Sequence, residues 1–336
     1  MGIEQRIKAL HFLGEYFRNV NEAELSMLCA DARNTNPWFV EDYTRLAFNG
    51  LKEWLREDNL RNWLSPYLPI DPKPQTIGLV LAGNIPFVGI HDILSVLITG
   101  HKAKLKISSQ DIVLTRFFLK GLREVEPQLA DRLEEVFMLK EIDAVIATGS
   151  NNTSRYFETY FGKYPNIIRR NRTSIAVLDG TESQADLDNL HDDLFLYFSL
   201  GCRNVSKIYI PEGFDLIRLI EASNRFAKHF EHHKYLNNYD YNKAVYLVNR
   251  VPHLDSGYFM LKEDKALVSP LSVIFYEYYQ DLDALKEIIE QQKDNIQCIV
   301  GNSSIIPSAI PFGQAQFPKL NDYADNVDTI EFLKNL

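Results

Sequence analysis

The chain has 336 residues, of which 46% are hydrophobic and 24% charged; this is enough for two domains and a sizeable core, and it excludes a disordered tail, a collagenous repeat or a disulfide scaffold. Its 36 basic and 45 acidic residues leave a formal charge of −9, the wrong sign for a nucleic-acid footprint, although the phosphates of a small cofactor need only a few local donors. No run reaches the ~18 apolar residues of a membrane span, and Cys29, Cys202 and Cys298 show no CxxC pairing, so neither a zinc site nor a disulfide framework is indicated.

The first 65 residues read as helices, with Ile3, Ile7, Leu10, Leu13 and Phe17 at helical spacing. Asn21 followed by Glu24 resembles a capping box, and Asn36-Pro37 reads as a cap before a proline at the first helical position. The N-terminus lacks a signal-peptide apolar core, and Arg6 stands where a myristoylation motif wants Ser or Thr; a cytoplasmic protein is expected. Pro66, Pro69, Pro72 and Pro74 then end the helical region.

From Thr76 short apolar β-type runs alternate with helical patterns. Strands are predicted at Thr76–Ala82, Lys102–Ile107, Asp143–Ala147, Ser174–Leu178 and Ser206–Ile210, with helices near 86–100, 111–127, 152–162 and 184–199. Such alternation implies βαβ crossovers and a parallel sheet covered on both faces. A second group follows, with strands at Ala244–Val248, Ser272–Tyr276 and Ile296–Val300 and helices near 213–230 and 281–291, which suggests a second α/β lobe.

The dinucleotide fingerprint G-x-G-x-x-G is absent. After the first predicted strand comes Gly83-Asn84-Ile85-Pro86, at the carboxyl end of a parallel strand where open sheets bind ligands. Asn84 is there either as part of a turn or as a donor to an oxyanion. Cys202, in Leu200-Gly201-Cys202-Arg203-Asn204, is either a small buried hydrophobe or a nucleophile whose thiol Arg203 could acidify. Cys29 and Cys298 read as packing residues. His229, His232 and His233 lack an HExxH or HxxEH pattern and read as a solvated helix face; no metal site is expected. Arg169-Arg170-Asn171-Arg172 reads as an exposed strand end.

In their order these segments resemble the aldehyde dehydrogenase superfamily, and within it the acyl-CoA reductase branch typified by the fatty acyl reductase of bacterial bioluminescence. Gly83-Asn84-Ile85-Pro86 is similar to the Asn-x-Pro loop whose Asn forms the oxyanion hole, and Leu105-Lys106-Ile107-Ser108-Ser109 to the Leu-Lys-Pro-Ser segment whose Lys binds the adenosine ribose. Thr148-Gly149-Ser150 matches the Thr-Gly-Ser opening the helix over the pyrophosphate, and Gly201-Cys202-Arg203 falls where the catalytic cysteine belongs. Ser269-Pro270-Leu271-Ser272-Val273-Ile274 and Pro311-Phe312-Gly313 resemble two further family segments. The resemblance runs from about residue 76 to the end.

It implies a two-lobed α/β fold with Rossmann-like parallel sheets, preceded by an N-terminal helical region. The implied division is 1–70 for that region, 71–178 for nicotinamide dinucleotide binding, 179–310 for the catalytic domain, and 311–336 for a segment packing back on both lobes. It makes Cys202 and Asn84 catalytic, and assigns Gly83, Pro86, Lys106, Ser108, Thr148, Gly149 and Ser150 to a cofactor, NADP(H) in preference to NAD(H). It further implies an acyl-CoA substrate of long chain, a homo-oligomer, and an acyl-supplying enzyme as a candidate partner. Two departures are informative. The Glu that serves hydrolytic members as a base falls near Ile168, within Ile167-Ile168-Arg169-Arg170, where there is no carboxylate; the ribose-binding Glu falls near Ala266. A reductase that exchanges acyl groups with CoA does without the first. The alternatives left open are a hydrolytic NAD(P)-dependent aldehyde dehydrogenase and an acyl carrier that holds its cargo on Cys202.

Overall fold

The computed structural model describes residues 1–70, 72–222 and 226–336. They form two units, one of Met1–Asn171 with Lys319–Leu336, the other of Arg172–Pro318.

The first unit opens with α1 (Ile3–Arg18), α2 (Glu22–Thr35), α3 (Glu41–Trp54) and α4 (Glu57–Leu64). Ile7, Leu10, Leu13 and Phe17 of α1 are buried at the spacing of one helical face, as the pattern requires. Asn21 caps α2 by accepting the Glu24 N–H at 2.9 Å. Asn36-Pro37 starts no helix. Asn36 ends α2, its side chain accepts the Trp38 N–H at 3.2 Å in a local turn, and α3 begins only at Glu41. An Asn side chain that satisfies the backbone two residues on competes with the cap it otherwise offers.

The sheet of this unit comprises β1 (Thr76–Val80), α5 (Ile90–Thr99), β2 (Lys102–Lys106), α6 (Ile112–Val125), α7 (Pro127–Ala130), β3 (Leu133–Glu135), β4 (Ala144–Thr148), α8 (Asn151–Phe161) and β5 (Asn166–Arg169). All pairs are parallel, in the order β3-β2-β1-β4-β5. The chain winds outward from β1 and then returns to β4 on its other side, so the loops leaving β1 and β4 flank a topological switch point. Helix α5 is buried on every side, which explains its almost unbroken apolar run. It stops at Gly100, whose φ of +95° suits a residue without a Cβ; the Gly100 and His101 N–H groups reach back to the Leu97 and Val96 carbonyls. The closing helix Thr329–Lys334 packs on α5.

The second unit contains β6 (Thr173–Val177), α9 (Gln184–Phe195), β7 (Val205–Pro211), α10 (Ile217–Glu221), α11 (Ala227–Phe230), α12 (His233–Val248), β8 (Leu254–Asp255), β9 (Met260–Glu263), β10 (Val273–Tyr279), α13 (Leu282–Gln291) and β11 (Ile296–Gly301). Its sheet runs β11-β6-β7-β10-β9-β8, parallel except for the β8–β9 edge. Ala244–Val248, predicted as a strand, forms the last turns of α12. A short apolar run does not distinguish helix from strand, and Tyr235, Tyr239, Asn242 and Tyr246 make the buried helical face that decides the matter. The helix predicted over 213–230 is α10 and α11, with 223–225 outside the described residues.

Candidate active site

In the first unit, Gly83–Phe87 leaves β1 with Asn84 exposed and Pro86 and Phe87 buried. A Cβ on Gly83 would lie 2.4 Å from Ser108 Oγ and 2.7 Å from Ser108 Cβ, so only glycine lets this loop rest on the segment after β2. Phe87 has a φ of +59°, an unfavourable conformation for an aromatic residue and one that marks a fixed bend. Lys106 ends β2 with its side chain exposed, and its carbonyl accepts the Leu81 N–H at 3.1 Å. On the other side of the switch point, Thr148 ends β4, Gly149 follows half-buried, and exposed Ser150 caps α8 by accepting the Thr153 N–H. A Cβ on Gly149 would lie 2.8 Å from the Phe157 ring, which keeps that turn against its helix. Gly83, Asn84, Pro86, Lys106, Ser108, Thr148, Gly149 and Ser150 therefore all lie at the carboxyl ends of β1, β2 and β4 or in the loops that leave them.

Sequence inspection placed Arg169 in an exposed strand end; the structure buries it. Arg169 is 5% exposed, and its Nη1 donates to Asp92 Oδ2 of α5 at 2.7 Å. The same guanidinium reaches Thr329 Oγ1 at 3.2 Å and Thr148 Oγ1 at 3.5 Å, and the Arg169 carbonyl accepts the Gly149 N–H. One buried ion pair thus ties β5, α5, the closing helix and the Thr148–Gly149 turn together. Arg170 is exposed and pairs with Glu158. No residue of Ile167–Arg170 is acidic. Asp92, a charge inside an apolar helical run, is the sequence feature that could have signalled such a partner, though sequence inspection did not single it out.

In the second unit, Cys202 is exposed on the turn before β7; Cys29, in α2 of the first unit, is buried, its thiol pushed up to about 11 by burial. Cys298 lies in β11, its Sγ 3.0 Å from Ser174 Oγ. The Cys202 turn is tightly held. Ser174 Oγ donates to the Cys202 carbonyl at 3.0 Å, and Asn204 Oδ1 accepts the Gly201 N–H at 2.8 Å. The Asn204 amide donates to the carbonyls of Asp193 and Leu196, and Arg203 Nε to that of Ala315 at 2.6 Å. Just before the turn, Tyr197, Phe198 and Ser199 have φ values of 55°, 56° and 60°. Three successive non-glycine residues in the left-handed region persist only where the surroundings fix them, and such strain clusters at functional sites. Asp193, fully buried, accepts the N–H groups of Gly313 at 2.6 Å and Ala315 at 2.8 Å and so holds the Pro311-Phe312-Gly313 loop. Burial pushes its carboxyl up to about 7, helped by Asp192 and opposed by those two amides and Arg203. Neither Asp193 nor the left-handed run was singled out from sequence.

The three histidines do not share one helix face. His229 ends in α11 and His233 begins α12, with the break between them, and His229 and His232 pack on the Phe198 ring. Among the described residues no group of three His, Cys, Asp or Glu could hold a metal ion, and no helix is long and apolar enough to cross a membrane.

The family described as Acyl-CoA reductase (LuxC) matches residues 49–237, a span that includes every candidate residue above from Gly83 to Cys202. Among curated proteins, a long-chain acyl-protein thioester reductase of Aliivibrio fischeri is 23% identical over 279 residues, covering 74% of this chain and 56% of the relative. One from Photorhabdus laumondii is 25% identical over 198 residues, covering 53% and 39%. The chain thus spans about half the length of the curated relatives it matches. Among solved structures, aldehyde dehydrogenase 21 of Physcomitrella patens superposes with a TM-score of 0.68 at 12% identity, covering 100% of this chain and 84% of its own. A Mycobacterium tuberculosis aldehyde dehydrogenase complexed with NAD+ gives 0.68 at 12% identity, covering 94% and 76%. The structural likeness establishes the aldehyde dehydrogenase fold, and with the sequence match it places this chain in the acyl-CoA reductase (LuxC) family.

Proposed function

We propose that this chain reduces a long-chain fatty acyl thioester to the aldehyde, with Cys202 as nucleophile and Asn84 as oxyanion donor. The observation that carries this reading is the exposed Cys202 on a turn held by Ser174, Asn204 and Arg203, with no carboxylate in Ile167–Arg170 where hydrolytic enzymes of this fold keep their base. A held turn fixes the sulfur and its backbone N–H, and donors already in place for the oxyanion usually lower the acyl-transfer barrier more than any other single feature of a site.

In the proposed sequence the Cys202 thiolate adds to the thioester carbonyl carbon, and the developing oxyanion is met by the Asn84 side-chain amide and the Cys202 N–H. The carbon–sulfur bond to CoA breaks, CoA leaves as a thiol after taking a proton, and the acyl group remains on Cys202. A nicotinamide dinucleotide, if held by Gly83, Lys106, Ser108 and the Thr148-Gly149-Ser150 turn, would supply the hydride that reduces the acyl carbon on Cys202. Collapse of the resulting thiohemiacetal releases the aldehyde and restores the Cys202 thiolate.

The residues at the switch point suit a dinucleotide. The N-terminus of α8 is a Ser-capped turn of the kind that accommodates phosphates, exposed Lys106 offers a cation, and Gly83 and Gly149 keep both loops close. Lys106 is the side chain placed to meet the adenosine ribose or a 2′-phosphate on it, and the preference for NADP(H) over NAD(H) comes from the family resemblance rather than from Lys106. A homo-oligomer working with an acyl-supplying enzyme completes the proposal.

The test is nicotinamide absorbance with NADPH or NADH and acyl-CoAs from acetyl to hexadecanoyl, with Cys202→Ala as control. Thioester-dependent oxidation that disappears in Cys202→Ala, together with loss of covalent acyl labelling, is expected. Aldehyde oxidation to acid without thioester reduction would establish the hydrolytic alternative, and acyl labelling without any nicotinamide reaction would establish a carrier.

A further inference from the structure

Asp111 occupies the N-cap position of α6, where a carboxylate ordinarily accepts the first-turn N–H groups. It makes no such bond. It is 2% exposed, and neither carboxyl oxygen has a hydrogen bond of normal geometry; the group that faces it is the Phe87 N–H, at the bend with φ of +59°. The same segment supports the Asn84 loop directly, since a Cβ on Gly83 would lie 3.2 Å from the Asp111 nitrogen and 2.4 Å from Ser108 Oγ.

We propose that Asp111 is a positioning residue for Asn84, a buried side chain that sets the bend of the Gly83–Phe87 loop by facing the Phe87 N–H. This rests on the functional reading above, in which Asn84 meets the oxyanion. An isolated ionised carboxylate is costly to bury, so the group stays protonated instead. Burial raises its proton affinity well above the ordinary carboxylate range, the Phe87 N–H opposes that rise, and no charged group among the described residues takes part. As pH climbs through that raised value the carboxyl ionises with nothing to pair it, and the loop must rearrange to admit water. Acyl transfer then fails on the alkaline side because its oxyanion donor is displaced.

The experiment compares wild type, Asp111→Asn and Asp111→Ala with hexadecanoyl-CoA and NADPH from about pH 6 to about pH 9, recording kcat and KM, with melting temperatures across the same range. Wild-type kcat is expected to fall about tenfold per pH unit on the alkaline limb with KM little changed. Asp111→Asn, which cannot ionise, keeps kcat within about twofold at neutral pH and lacks that limb. Its melting temperature gains on wild type as pH rises, because it bears no buried charge. Asp111→Ala, with no polar atom for the Phe87 N–H, loses kcat at every pH. An Asn variant that shares the wild-type limb and the wild-type pH dependence of melting overturns the proposal. Cys202→Ala run in parallel separates the two levels. Wild-type turnover no greater than that control removes the functional reading, and the role of Asp111 with it. Turnover above control with identical wild-type and Asn profiles removes the role of Asp111 alone.

Discussion

Replacing Asp92 with Ala strands the Arg169 guanidinium 5% exposed with its carboxylate partner gone. With charge centres ~4 Å apart, attraction at an effective dielectric of ~20 is about 4 kcal/mol, and removal of one partner from a buried pair costs about 3–5 kcal/mol. At a urea slope of ~2–3 kcal/mol per molar, the midpoint should fall by about 1–2 M. The companion is Asp92→Leu with Arg169→Met, which removes both charges and keeps the volume. Buried pairs replaced by well-packed apolar residues are often neutral or stabilising, so the double variant should recover most of the loss, short of about 1 kcal/mol for the Arg169–Thr329 hydrogen bond. Equilibrium urea unfolding followed by circular dichroism reads all three proteins. A double variant as unstable as Asp92→Ala would refute the reasoning, because the loss would then come from cavity or packing rather than from an uncompensated charge.

Asn84→Ala should lower kcat for thioester reduction by about 10²–10³ with unchanged melting temperature, since the side chain is exposed; an unchanged kcat would remove it from the oxyanion site. Gly83→Ala brings a Cβ to 2.7 Å from Ser108 Cβ, and an ångström-scale shift of the Asn84 loop should cost ~10²-fold in kcat, read by steady-state kinetics. Asp193 has its carboxyl pushed up to about 7 in the folded chain. The folded state therefore retains a proton that the unfolded state has released between about pH 4 and about pH 7, and stability falls as pH rises through that window. The contribution is at most about 4 kcal/mol, and Asp193→Asn should flatten the decline in melting temperature over that range; parallel curves would contradict it.

The parallel sheets were legible because buried strands between helices leave dense β-branched runs such as Thr76–Val80 and Thr173–Val177. The segments that carry Asn84, Thr148-Gly149-Ser150 and Cys202 were legible as motifs. What stayed hidden was polar and long-range. Arg169 reads like its neighbour Arg170, and only the fold brings Asp92 to it across 77 residues. Asp193 binds amides 120 and 122 residues away, and the left-handed run Tyr197–Ser199 contains no glycine to announce it. Short edge strands such as β3 and β8 have too few residues to show a period. The histidine segment is split between α11 and α12, and the packing of His229 and His232 on Phe198 is a contact that no local spacing encodes.

The closing helix has a consequence for the order in which the chain is made. Trp63 Nε1 donates to Tyr323 Oη, His101 Nε2 bonds the Leu333 carbonyl, and Arg169 bonds Thr329, so the first unit takes these partners from beyond the second. Roughly 150 residues separate the two parts, which at ~5–20 residues per second is a wait of about 7–30 s on the ribosome. Throughout it, the face of α5 that the closing helix covers is open to water while the second unit emerges. A stalled or clipped product lacking residues 319–336 would carry a finished second unit and a first one with an uncovered apolar surface, the kind of species that chaperones and proteases select. Translation of the whole second unit thus becomes a condition for sealing the first.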